Sequence, residues 1–175
     1  MRRVVLTGGE CTGKTTLARA LAARWKTTWA AEAAREVALA RAGLLGPEDV
    51  PVIAWTHVRL ADAAERAAGE AGRPIVFLDQ DLLSTVVYAR HYYGSCPPWI
   101  ERLAAERRGD LYLLCHPDLP WAPDGMRDRP AARDEIHALF AAVLAAAGAR
   151  VVDVTGRGSE REEMAAAAVA EALAS

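Results

Sequence analysis

Val4-Val5-Leu6-Thr7-Gly8-Gly9-Glu10-Cys11-Thr12-Gly13-Lys14-Thr15 decides the reading of this chain. From Gly8 onward the stretch fits G-x-x-x-x-G-K-[ST], the phosphate-binding P-loop. The apolar run before it predicts a strand. Leu17, Ala18, Leu21 and Ala22 after it predict a helix. That order suits the chemistry. Glycines let the backbone wrap a polyphosphate without Cβ clashes, and the helix start adds unpaired N–H groups and positive dipole charge. The loop Gly8, Gly9, Glu10, Cys11, Thr12, Gly13, Lys14, Thr15 and Thr16 is therefore the expected ATP-phosphate site. Lys14 is expected at the β/γ-phosphates and Thr15 at Mg²⁺. Lysine usage agrees: Lys14 and Lys26 are the only two lysines among 21 basic residues, and one fills the P-loop position. A planar arginine fork is no substitute for a compact ammonium there.

The remaining pattern predicts an α/β fold. Apolar runs at 4–7, 75–78, 111–115 and 150–154, and a weaker one at 27–31, alternate with helical stretches. The helices are expected near 14–25, 32–43, 48–70, 81–93, 97–107, 131–147 and 159–174. Uninterrupted apolar strands imply a parallel sheet covered on both faces, a three-layer P-loop NTPase-type fold of about five strands. Ligands of such sheets bind beyond the carboxyl ends of the strands. Segment 116–130 carries four prolines and a glycine, so it is expected to be a lid and not a helix.

Composition bounds the rest. A chain of 175 residues fits one domain, read as a single kinase domain over 1–175. A net charge of −2 gives no footprint for nucleic acid. No apolar run approaches the ~18 residues of a membrane span, so no membrane partner is expected. Cys11, Cys96 and Cys115 are far apart and show no metal spacing. An odd count without a secretory signal points to the cytoplasm.

A second constellation ends the 75–78 strand. Asp79 is expected as the carboxylate partner of Mg²⁺, and Asp81 either touches the acceptor or caps the next helix. Glu32 and Arg35, three apart, share a helix face after the second strand and are expected near the acceptor. Asp79, Asp81 and Glu32 are the candidates to take or orient the acceptor hydroxyl proton. Arg127 in the lid is expected to stabilise charge on the moving phosphoryl group, with Arg129 and Arg133 beside it. Trp29, Trp55 and His57 are candidates to line the acceptor pocket. A regulatory ATPase is the alternative class. A GTPase switch needs a guanine-reading N-K-x-D, and the chain has no asparagine.

Several segments resemble the ribosylnicotinamide kinase domain of NadR-type proteins. The P-loop through Leu17 is similar to that family's. Glu32-Ala33-Ala34-Arg35-Glu36 resembles its E-Y-G-R-E, Phe77-Leu78-Asp79-Gln80-Asp81 its F-I-D-T-D, and Trp121-Ala122-Pro123-Asp124-Gly125-Met126-Arg127 its W-x-x-D-G-L-R. The aromatic run to Tyr93-Gly94 also fits. The resemblance implies ATP-dependent phosphorylation of the 5′-hydroxyl of nicotinamide riboside by a monofunctional kinase. Two departures stand out. Gln80 replaces the threonine of the acidic segment. Ala31, Ala33 and Ala63 stand where the family's ring-flanking aromatics are expected, which leaves Trp29 and Trp55 to supply those faces. Another nucleoside or cofactor precursor is the alternative acceptor.

Overall fold

Five short strands carry the architecture: β1 (Arg2–Thr7), β2 (Trp29–Ala30), β3 (Ile75–Asp79), β4 (Leu111–Cys115) and β5 (Val151–Val154). In this computed structural model, which describes residues 1–41, 43, 45–121 and 130–174, they form one parallel sheet in the order β2-β3-β1-β4-β5. The helices described are α1 (Lys14–Trp25), α2 (Ala33–Ala40), α3 (Val50–Glu70), α4 (Leu82–Tyr93), α5 (Pro98–Glu106), α6 (Arg133–Ala146) and α7 (Gly158–Ala174).

Strand alternation sorts the core into two layers. Val4, Leu6, Ile75, Phe77, Leu111 and Leu113 face α1 and α7. Val5, Val76, Leu78, Tyr112 and Leu114 face α3, α4, α5 and α6. Because both faces are covered, β3 and β4 are buried at every residue. The central strands were therefore legible as continuous apolar runs. β2 is short and contributes only two residues to the ladder, which explains its weak signal. Among the described residues no helix is long and apolar enough to cross a membrane.

The parallel arrangement places the ends of β1, β2 and β3 side by side. Leu6 registers with Asp79, and Ala30 with Leu78. The P-loop, the start of α2 and the acidic segment thus leave the sheet at one edge of the fold.

Candidate functional site

The loop after β1 is held open by unusual backbone. Gly8 adopts φ 122°, and a Cβ there would sit 2.6 Å from the carbonyl oxygen of Cys115. Gly13, at φ 77°, starts α1 in the left-handed region, where a side chain is strained and would also press on Leu119. Cys11 takes φ 54° without being glycine, a cost that clusters at functional sites. The Thr12 hydroxyl donates to the Gly9 carbonyl at 2.9 Å. Lys14 is buried, and its Nζ donates to the same carbonyl at 2.7 Å.

Behind the loop, Thr15 Oγ1 donates to Asp79 Oδ2 at 2.5 Å. Asp79 is completely buried. Its Oδ1 has no hydrogen-bond partner among the described residues. Burial pushes its pKa up, against the pull of Lys14, and the negative charge of Glu32 adds to the rise. A hydroxyl oxygen, a carboxylate and an unsatisfied oxygen converging here fit the hard, oxygen-seeking Mg²⁺.

A cavity of about 450 Å³ opens from the P-loop. Glu10, Cys11, Thr12, Gly13, Lys14, Thr15 and Thr16 line one end, and Glu32, Arg35 and Gln80 line the middle. Glu32 is fixed by two neighbours: Gln80 Nε2 donates to its Oε1 at 3.3 Å, and Arg35 Nε lies 3.8 Å from its Oε2. Gln80 itself sits at φ 72°, so the residue that departs from the family pattern is bent backbone that aims at Glu32. The far end is lined by His57, Tyr88, Tyr92 and Tyr93.

Three sequence expectations are corrected by this geometry. Asp81 does not face the cavity. Its Oδ1 caps α4 through the Leu83 and Ser84 amides at 3.0 and 3.4 Å, and its Oδ2 accepts from Tyr112 Oη at 2.6 Å. Burial pushes this carboxyl up to about 6, despite those donors. Trp29 points to the other side of the sheet, against the α1 layer, with the Arg19 guanidinium 5.1 Å from its ring centre. Trp55 is 57% exposed and stacks on Trp99 at 5.6 Å. On α3, Ile53 and His57 line the cavity, and a residue two positions from each lies about 200° around the helix.

The aromatic faces come instead from α4. Ser84, Thr85, Tyr88, Ala89 and Tyr92 repeat at helical spacing and share the cavity side. That periodicity, beginning just after the acidic segment, was the available signal. Arg161 was missed altogether. It is buried, and it donates to Thr12 O at 2.7 Å, Asp118 Oδ1 at 2.8 Å, Gly156 O at 3.1 Å and His116 O at 3.3 Å. It ties the P-loop to the turns after β4 and β5. Arg133 adds a bond to Leu119 O at 2.9 Å and a longer one to Cys11 O at 3.4 Å. Arg127, Arg129 and most of the expected lid lie outside the described residues.

His57 gives a pH test of this burial. Removal from water pushes its imidazole down to about 4 from 6.5. Below pH 6.5 the unfolded chain takes up a proton that the folded chain refuses, so stability falls as pH drops toward 4. Glu32 and Tyr88 share its main cavity, and Arg3, Asp81 and Arg107 share the small cleft on its other side. Comparing the wild type with His57→Gln cancels the contributions of those neighbours. Between about pH 7 and about pH 4.5 the wild type should lose roughly 2–3 kcal/mol more than the variant, measured by urea unfolding. Parallel losses in the two proteins would remove His57 as the source.

Comparison with known proteins agrees with this geometry. The chain is 33% identical over 131 residues to the trifunctional NAD biosynthesis/regulator protein NadR of Escherichia coli (strain K12). The match covers 73% of this chain and 31% of that protein, and the Salmonella typhimurium NadR gives the same figures. The chain thus spans about a third of the length of these curated relatives. A crystal structure of NadR protein in complex with NR superposes with a TM-score of 0.77 at 27% identity, covering 97% of this chain and 50% of that one. A NadR structure in complex with NAD and AMP-PNP gives the same score. Thymidylate kinase from Ehrlichia chaffeensis, at 14% identity and a TM-score of 0.69 over 98% of both chains, shares the fold. The fold is that of the P-loop NTPases, a parallel sheet between two helical layers. Residues 3–161 match the AAA_28 family, described as an AAA domain, and the chain belongs to that family.

Proposed function

We propose that this chain is an ATP-dependent kinase that phosphorylates the 5′-hydroxyl of nicotinamide riboside, giving the mononucleotide. The observation that carries the reading is the single cavity running from Lys14 and Thr15 past Glu32 to three tyrosines. A donor phosphate and a ring-bearing acceptor fit its two ends. The solved NadR complexes with NR and with AMP-PNP support both halves.

In this reading the amides of residues 9–15 and the Lys14 ammonium hold the donor phosphates. Lys14 exchanges its bond to Gly9 O for the phosphate oxygens. Thr15 and Asp79 would hold Mg²⁺, which supplies charge neutralisation at the β- and γ-oxygens. Glu32, steadied by Gln80 and Arg35, orients the acceptor hydroxyl and takes its proton as the new P–O bond forms. Tyr88 and Tyr92 present ring faces to the cationic nicotinamide, and His57 beside them stays neutral, so no like charge opposes it. Arg127 is assigned to the transferring group on the sequence resemblance. The odd number of cysteines, none of them in a disulfide, supports a cytoplasmic setting.

The test is a panel of nucleosides offered with Mg-ATP, read as ADP formed and product mass. Nicotinamide riboside should react faster than adenosine, uridine or thymidine at equal concentration. Tyr88→Leu or Tyr92→Leu should raise its KM by about 2- to 30-fold, the equivalent of a cation–π contact of roughly 0.5–2 kcal/mol, with kcat falling less. If another nucleoside reacts and nicotinamide riboside does not, the donor half stands and the acceptor half is wrong.

A further inference from the structure

Away from that cavity, three side chains with metal-binding atoms meet near the β5 edge of the sheet. His116 follows β4, Asp153 lies in β5 and His137 lies in α6. Strand alternation explains the meeting. Val151 packs with the core layer that contains α6, and Asp153, two residues on, shares its face. β5 is the last strand of the sheet, so this face is only partly covered and Asp153 is exposed. His116 Nε2 and Asp153 Oδ1 are 2.8 Å apart. The two imidazole rings are 4.3 Å apart, tilted by 53°. One ligand atom from each residue lies within 4.8 Å of the other two. The Nδ1 of His137 is buried and has no hydrogen-bond partner among the described residues.

We propose that His116, His137 and Asp153 form a binding site for a divalent transition metal of the zinc type, separate from the nucleotide site. Two imidazole nitrogens and one carboxylate oxygen are a borderline donor set. It suits zinc and disfavours Mg²⁺, which seeks oxygens alone. Three protein ligands leave a fourth tetrahedral position for water. Zinc bonds of about 2.0–2.2 Å need ligand atoms roughly 3.4 Å apart. The His116–Asp153 contact must open slightly and the His137 nitrogen must close in. Rotation of the exposed Asp153 side chain and small ring movements supply both. The site has a mechanical consequence. His116 stands at the start of the 116–130 segment and His137 lies just beyond its end. A metal would fasten both roots of that segment to the edge strand.

The experiment titrates Zn²⁺ into the full chain against a chromophoric chelator, with excess Mg²⁺ present to occupy oxygen-only sites. His116→Gln, His137→Gln and Asp153→Asn are run in parallel. One equivalent should bind to the wild type, and each variant should bind at least about 10-fold more weakly. Co²⁺ should give the visible absorption of a four-coordinate site, lost in the variants. Zn²⁺ should raise the thermal midpoint of the wild type alone. Circular dichroism checks folding. Should His137→Gln fail to fold, the two variants at the less buried positions carry the test. Equal affinity in wild type and variants, or no stoichiometric binding, overturns the proposal. Neither result bears on the kinase reading, which rests on other residues.

Discussion

Lys14→Ala is expected to lower ATP-dependent phosphate transfer by roughly 10²–10³-fold while leaving the fold intact. The argument starts from its position. Lys14 begins α1, is buried, and rests against Gly9 O at 2.7 Å. No other lysine is available nearby: Lys26, the second in the chain, caps the far end of α1, about 18 Å along the helix at 1.5 Å per residue. Removing the ammonium leaves the loop backbone, Thr15 and the metal ligands in place, so donor binding should weaken less than transfer. Removing the buried cation relieves its own burial but also takes away the charge that offsets Asp79, so the two effects on stability oppose each other. Near-normal turnover by folded Lys14→Ala would remove the kinase reading altogether.

Asp79→Asn should be almost as damaging to transfer and neutral or favourable to stability. Charge neutralisation through a bound metal is worth several kcal/mol, so a loss of roughly 10²-fold or more is expected, with a higher Mg²⁺ requirement. The same carboxylate is a burden to the fold. It is fully buried, has an unsatisfied oxygen, and is held above its ordinary pKa chiefly by desolvation. Asparagine keeps an acceptor for Thr15 and carries no charge. The thermal midpoint should therefore stay level or rise while activity collapses. A variant with wild-type rate and wild-type Mg²⁺ dependence would place the metal elsewhere.

How much of this was readable beforehand depended on the kind of signal. The central strands are buried on both faces, and burial on both faces writes a continuous apolar run. The P-loop is read from spacing because its geometry admits few residues. Glu32, Arg35 and Asp79 were singled out through their position after strands, where a parallel sheet presents its ligands. The tryptophans were misplaced because a large aromatic fills either face of a sheet or helix equally well. Only register decides, and register is a property of the assembled core. Asp81 was ambiguous for a related reason: a carboxylate two residues past a strand end serves as a cap or as a ligand with the same sequence. Arg161 was invisible. It sits in Glu160-Arg161-Glu162-Glu163, which reads as a solvated helix face, yet the fold turns it inward.

Arg161 also bears on how the molecule comes into being. Thr12 O takes its hydrogen bond from a guanidinium 149 residues later in the chain. The P-loop is therefore made well before the side chain that braces it. Until α7 docks, the turn at Thr12 lacks this donor, and Asp118 and Gly156 lack the guanidinium that joins them to it. The finished geometry of the loop thereby waits on a chain extended past residue 161. Contacts of such long range also favour slow, cooperative closure over stepwise assembly.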